Sequence, residues 1–383
     1  MDFRHAEVRD ERFALIQETI DNYDIDGFEL QLNYGRRYFH PTHVAEGRGI
    51  MTSWISRIRS ALKRSDPDRE LAIRVPASLS GCYEIGLDVA EWIRLGLVDV
   101  LIGQTHCAGE RLNQMADFSS LVEAARGSGC RVHAALQSNV DSDRLGQADI
   151  KMIRAAACNY WAQGVDGLYL AHWFGNWPYD GSFYEKLREL PHPDVMAPRD
   201  KQYAVPTEAE SPHETAGMLD PGERMQLPVV LDPGDPVEVA FSVSDDIPRW
   251  DAVGRLFEVI LRVRTTETTE RDRFRFRLNG QELPVDAMRS INRLYQMKEP
   301  RYRVHGYWFV FRLDPCHWPR QGQNVLEVTL LERDVDVTPD VLLRDLEIET
   351  KYLMGKNAMR DREPDLGDYE YVNHRRLPTS NYT

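Results

Sequence analysis

Positive charge is in short supply in this chain. Its 383 residues carry 47 lysines and arginines against 61 aspartates and glutamates, a formal net charge of −14. That balance excludes nucleic acid as the main partner, because phosphate binding needs a basic surface. Long apolar runs are missing too: none approaches the roughly 18–20 residues that a membrane span requires, so no membrane partner is expected. The opening stretch MDFRHAEVRDERF is charged from the start and lacks the apolar core of a secretory signal. With Met1 as the true start, a cytoplasmic location is expected. Cysteine is sparse, and Cys82, Cys107, Cys130, Cys158 and Cys316 stand far apart with no CxxC pair. Such spacing fits reduced, mostly buried thiols better than a disulfide framework or a zinc site. Neither GxGxxG nor GxxxxGK[ST] occurs, which argues against a nucleotide-binding doubly wound sheet. Neither a cofactor nor a metal is expected.

What is present is ordinary for a globular protein, with 42% hydrophobic and 28% charged residues. Two periods alternate over residues 8–190. Apolar residues recur at helical spacing over 8–23, 50–63, 85–95, 118–128, 149–163 and 183–190, as in Trp54, Ile55, Ile58 and Leu62. Between them lie strand-like runs: FELQLN (28–33), LAIRVP (71–76), VDVLIG (98–103), RVHAALQ (131–137) and DGLYLAHW (166–173). Strands alternating with amphipathic helices predict βαβ units and a parallel sheet. Each run ends in polar or aromatic residues: Gln31, Asn33 and Tyr34; Arg74; Gln104 and His106; Gln137 and Asn139; His172, Trp173, Asn176 and Trp177. Functional groups at the C-terminal ends of successive strands are the pattern of a TIM-type (β/α) barrel. Only five strands are counted where eight are needed, so the barrel is partial.

Prolines 206, 212, 221, 228, 233 and 236 mark a shift in composition. Residues 1–203 are therefore assigned to the barrel portion and 204–225 to a proline-rich linker. Over 226–352 alternating strands follow without helices, with Asn279-Gly280 as a hairpin-turn signal. This predicts an antiparallel β-sandwich or jelly roll. Residues 353–383 read as a polar, loosely ordered tail.

The runs EVRDERFALI (7–16), YDIDGFEL (23–30), GIMTSWISRIRSAL (49–62), LAIRVP (71–76) and GLDVAEWIRLGLVDVLI (86–102) resemble uncharacterised bacterial (β/α)8-barrel proteins of the glycoside-hydrolase-like type. GVDGLYLAHWFGNW (164–177) and LRELPHPDVMAPRDKQYAV (187–205) fit the same group. Its members often carry a C-terminal β-sandwich, which FRLNGQEL (276–283) and GQNVLEVTL (322–330) look like. The resemblance covers most of residues 7–352. It is specific for fold and weak for reaction, since one fold hosts many chemistries. It implies that FELQL is the fourth barrel strand and 166–173 the eighth, so that Met1 falls inside the barrel. It also implies a strand-four motif Glu-Leu-Asp, whose acid is replaced here by Gln31.

Glycoside hydrolysis needs two carboxyl groups across the scissile bond, about 5–10 Å apart. Two-residue alternation points Glu29, Gln31 and Asn33 inward. Glu29 and Glu110 are the catalytic candidates, with Asp180 as a third acid; the plainer reading makes Glu29 a structural carboxylate paired with Arg74. Candidate substrate-binding residues are Gln31, Asn33, Tyr34, Arg36, Arg74, His106, Gln137, Asn139, His172, Trp173, Asn176 and Trp177. Aromatic rings there suit stacking on sugars, or simply pack the rim. The leading expectation is a carbohydrate-active, glycoside-hydrolase-like protein working by general acid/base hydrolysis. The rivals are a non-catalytic carbohydrate binder that has lost its strand-four acid and an incomplete gene product. Half a barrel would expose an apolar interior and an unpaired edge, making a second copy of the chain a candidate partner.

Overall fold

The computed structural model describes residues 2–33, 38–105, 112–140, 148–171, 173, 181–207, 225–293 and 306–366. The first part alternates helices and strands. It runs α1 (Ala6–Asn22), β1 (Gly27–Gln31), α2 (Val44–Ser65), β2 (Glu70–Pro76), α3 (Leu79–Glu84), α4 (Val89–Arg94) and β3 (Val100–Gln104). It continues through α5 (Ser119–Ala125), β4 (Arg131–Gln137), α6 (Ile150–Ala162), β5 (Gly167–Ala171), α7 (Gly181–Glu189) and α8 (Pro193–Met196). The five strands pair in parallel in the order β1-β2-β3-β4-β5. The predicted parallel sheet is therefore present. Among the described residues no ladder joins β1 to β5, so the sheet is curled and not a closed TIM barrel.

Leu71, Ile73 and Val75 of β2, Leu101 of β3, and Val132, Ala134 and Leu136 of β4 point to the helices and bury there. Three helices are started by side-chain caps: Ser78 accepts from the Gly81 amide, Asp88 from Glu91 and Asp149 from Met152. The helix expected over 85–95 is shorter, α4 alone, and α3 lies ahead of it in a stretch where no helix was expected. Gly86 takes φ +93°, a conformation that breaks a helix, and Asp88 restarts it.

The second part consists of β6 (Lys201–Ala204), β7 (Val229–Val230), β8 (Pro236–Val243), α9 (Ile247–Ala252), β9 (Leu256–Thr266) and β10 (Arg273–Leu278). There follow β11 (Gln281–Glu282), β12 (Met288–Asn292), β13 (Tyr307–Arg312), β14 (Gly322–Glu332) and β15 (Leu342–Tyr352). Two antiparallel sheets result, β11-β10-β14-β8 and β12-β13-β9-β15-β6, with β7 alongside β15. They share one core, in which Phe274 and Phe276 of one sheet meet Phe309 of the other at ring distances of 4.9 and 5.1 Å.

The two parts are joined tightly. β6 pairs with Glu347–Thr350 of β15, and Ala155 of α6 packs into the core between the antiparallel sheets. Gln114 donates to the carbonyls of Met152 and Gln202, at 2.7 and 2.8 Å, and Asn159 donates to Ser242. Past β15, residues 360–366 lie against the second part. Arg360 pairs with Asp200 at 2.8 Å, Glu363 with Lys351 at 3.2 Å, and Leu366 is buried against Trp308.

Candidate functional site

The concave face of the parallel sheet carries the residues that the alternation of each strand turns away from the helices. On β1 these are Glu29 and Gln31, continued by Asn33; on β2, Glu70, Ala72 and Arg74; on β3, Val100, Ile102 and Gln104. β4 contributes Arg131, His133, Ala135 and Gln137, and β5 contributes Gly167, Tyr169 and Ala171.

Side chains span the curl. Neighbouring strands lie about 4.8 Å apart, so a flat sheet of this order would hold β1 and β5 about 19 Å apart. Here Tyr169 on β5 donates its hydroxyl to Oε1 of Glu29 on β1 at 3.3 Å. Arg74 on β2 joins both: its Nε donates to the same Glu29 oxygen at 3.1 Å, and its terminal nitrogen donates to Glu29 and to the Tyr169 hydroxyl. The guanidinium also lies over the Tyr169 ring, 4.6 Å from its centroid. Beneath this bridge Val100, Ile102, Ala135 and Ala171 form a small buried cluster. Among the described residues of this face the expected exposed apolar interior is not seen, because these few small groups are covered.

The charges of this face cancel in pairs. Glu29 is held by Arg74, and at the N-terminal end of the sheet Glu70 is held by Arg131 at 2.6 Å. His133 lies over β5; a Cβ on Gly167 would sit 2.8 Å from its ring, so this position needs a glycine. Burial, followed by the nearby Arg131, pushes the His133 imidazole below its ordinary value. The same burial raises the Tyr169 phenol.

Toward the C-terminal ends of the strands the groups become uncharged. Asn33, Gln104 and Gln137 are only 5%, 0% and 2% exposed. Asn33 Nδ2 donates to Gln104 Oε1 at 2.8 Å across β2. The remaining amide atoms, Asn33 Oδ1, Gln104 Nε2 and both Nε2 and Oε1 of Gln137, are buried and have no hydrogen-bond partner among the described residues. Buried polar groups are nearly always paired, so four unpaired amide atoms at one mouth call for an explanation.

The structure brings Glu29, Arg74, Asn33 and Gln137 onto one face, with Gln31 exposed beside them. Asn139 stands just past β4, where its carbonyl accepts from Leu112 at 2.6 Å. Trp173 is set apart from this group. Its indole donates to the Leu136 carbonyl at 2.8 Å and its ring packs on Phe183 in the helix-side core, so it offers no stacking platform. Tyr34, Arg36, His106, Glu110, His172, Asn176, Trp177 and the third acid, Asp180, lie outside the described residues. His133 and Tyr169 were not singled out by sequence reasoning, although the two-residue alternation of their strands already placed them on this face. Among the described residues no cluster of three or more metal-ligating side chains occurs. Nor is any described helix long and apolar enough to cross a membrane. Of the cysteines, Cys82, Cys130 and Cys158 are buried free thiols, and burial pushes Cys130 up to about 11 and Cys158 to about 12.

No family model and no curated protein matches this chain. Among solved structures it is similar to the endo-β-1,4-mannanase from Thermotoga petrophila, at 12% identity and TM-score 0.39 over 91% of this chain and 72% of that one. An engineered protein follows at 12% identity and TM-score 0.31, over 89% and 69% of the two chains. The α-L-fucosidase from Vibrio sp. strain EJY3 gives 12% identity and TM-score 0.25, over 88% and 69%.

Proposed function

We propose that this chain is a carbohydrate-active protein that binds sugar at the C-terminal ends of β1, β3 and β4. The observation that carries the reading is the set of buried, unpartnered amide atoms on Asn33, Gln104 and Gln137. Amides at the mouth of a curled parallel sheet are suited to sugar hydroxyls, which both donate and accept. The test is titration calorimetry of the whole chain against a panel of oligosaccharides. At least one binds, and Gln104→Leu weakens it tenfold or more; a panel without a binder overturns the reading.

A second reading, glycoside hydrolysis, is favoured by the position of Glu29. Among the described residues its two donors, Arg74 and Tyr169, converge on Oε1 and leave Oε2 without a hydrogen bond. Hydrolysis needs another carboxyl across the bond. On the strands of this face the other carboxylate is Glu70, which is engaged by Arg131, and Glu110 lies outside the described residues. If Glu29 does the chemistry, Glu29→Gln abolishes turnover with little loss of binding. Turnover that survives Glu29→Gln removes Glu29 from the reaction.

A further inference from the structure

The unpaired atoms at the mouth can be read for more than the presence of a ligand. They comprise two donors, Gln104 Nε2 and Gln137 Nε2, and two acceptors, Asn33 Oδ1 and Gln137 Oε1. This balance does not depend on how the amides are oriented. Turning both Asn33 and Gln104 over keeps their mutual hydrogen bond and exchanges one free acceptor and one free donor for another pair. Turning Gln137 exchanges its own two atoms.

Three kinds of ligand can be compared against that set. A carboxylate or phosphate would satisfy the two donors and set its charge against two buried carbonyl oxygens. An ammonium group would do the reverse. Hydroxyl groups donate and accept at once, so two of them can pair all four atoms. Among the described residues the rest of the concave face adds no net charge, because Glu29 is paired with Arg74 and Glu70 with Arg131. Gln104 and Gln137 lie on adjacent strands and on the same face, one and three residues beyond the Gly103–Ala134 pair. Such diagonal neighbours are separated by about 7–8 Å or less at Cβ, a span that two adjacent ring hydroxyls can bridge.

We infer that Asn33, Gln104 and Gln137 read an uncharged vicinal diol, with Gln137 as the residue that addresses both hydroxyls. The inference rests on the reading of this mouth as a sugar site and specifies what the site recognises.

The experiment uses the whole chain and the panel named above, extended to uronic-acid and amino-sugar oligomers. The sugar that binds is then compared with its analogues lacking one hydroxyl each. A neutral sugar is expected to bind. Removing either of two neighbouring hydroxyls should weaken it at least tenfold, about 1.4 kcal/mol, and Gln137→Leu should weaken the parent sugar by a similar factor. In Gln137→Leu the deoxy analogues should bind no worse than the parent, since the group that read the missing hydroxyl is gone. If Gln137→Leu does not fold, the deoxy series on the unaltered chain decides. A panel won only by acidic or amino sugars, or a binder for which no pair of neighbouring hydroxyls matters, overturns the diol inference and leaves the sugar site standing. A panel without any binder overturns both.

Discussion

Glu29 and His133 show how much a neighbour decides about a single side chain. Glu29 is the acid that the second reading proposes for catalysis, and Arg74 and Tyr169 give it a structural task. Replacing it with Gln removes a charge-assisted bond and should lower stability by about 1.5–3 kcal/mol, read by urea unfolding. Burial and Arg131 depress the folded pKa of His133, so the unfolded chain takes up the proton first. Its contribution is therefore complete above the ordinary imidazole value of about 6.5 and is lost as the pH falls below it. Melting temperature should drop between pH 7.5 and 5.5, and the drop should shrink in His133→Gln. An unchanged slope in that variant would assign the acid sensitivity elsewhere.

At the scale of elements, the parallel strands were legible because their apolar alternation and the intervening helical periods agree with one another. The β6 strand was not. Four residues, KQYA, carry too little pattern to announce that they join Glu347–Thr350, far along the chain. β15 raises a different point: LRDLEIETKY alternates as a strand with one face in water would. In the structure Glu347, Glu349 and Lys351 are 1%, 1% and 0% exposed, because Arg262, Lys151 and residues 360–366 cover that face. Periodicity reports that a face is polar but not whether water or opposite charge meets it. The amides at the mouth share this ambiguity, since a lone Gln at a strand end looks the same whether it is wet or buried. Burial alone would raise the Glu349 carboxyl, but Arg262, Lys151 and Lys351 outweigh it and hold it down at about 2. Its stabilisation is present above the unfolded value, near 4.3, and fades as the pH falls towards 2. Glu349→Gln takes one buried carboxylate from three cations, Arg262, Lys151 and Lys351, and should cost about 3–5 kcal/mol, measured by denaturant unfolding near neutral pH. A neutral result would mean that the cluster relaxes around the loss. In α2, Gly47 faces Phe39 so closely that a methyl group would enter the ring; Gly47→Ala should cost about 1–3 kcal/mol, seen as a lower melting temperature.

For the whole molecule, the seam between the parallel and antiparallel parts predicts a single cooperative unfolding transition. Lys201 and Asp245 form a buried ion pair at 2.7 Å, Gln114 ties three backbone segments, and Ala155 sits in the neighbouring core. Two separated calorimetric peaks would show that the halves unfold independently. The clasp from β1 to β5 has a further consequence. In a closed barrel, strand number and stagger fix the diameter. Here the last link of the hoop is made of three side chains, so the aperture is set by their reach and not by a backbone ladder. Shortening that link, as in Arg74→Lys, should let the outer staves spread while every hydrogen bond of the sheet stays in place, and on the proposed function it should change which sugars fit. The calibre of this mouth is a property that one residue can tune.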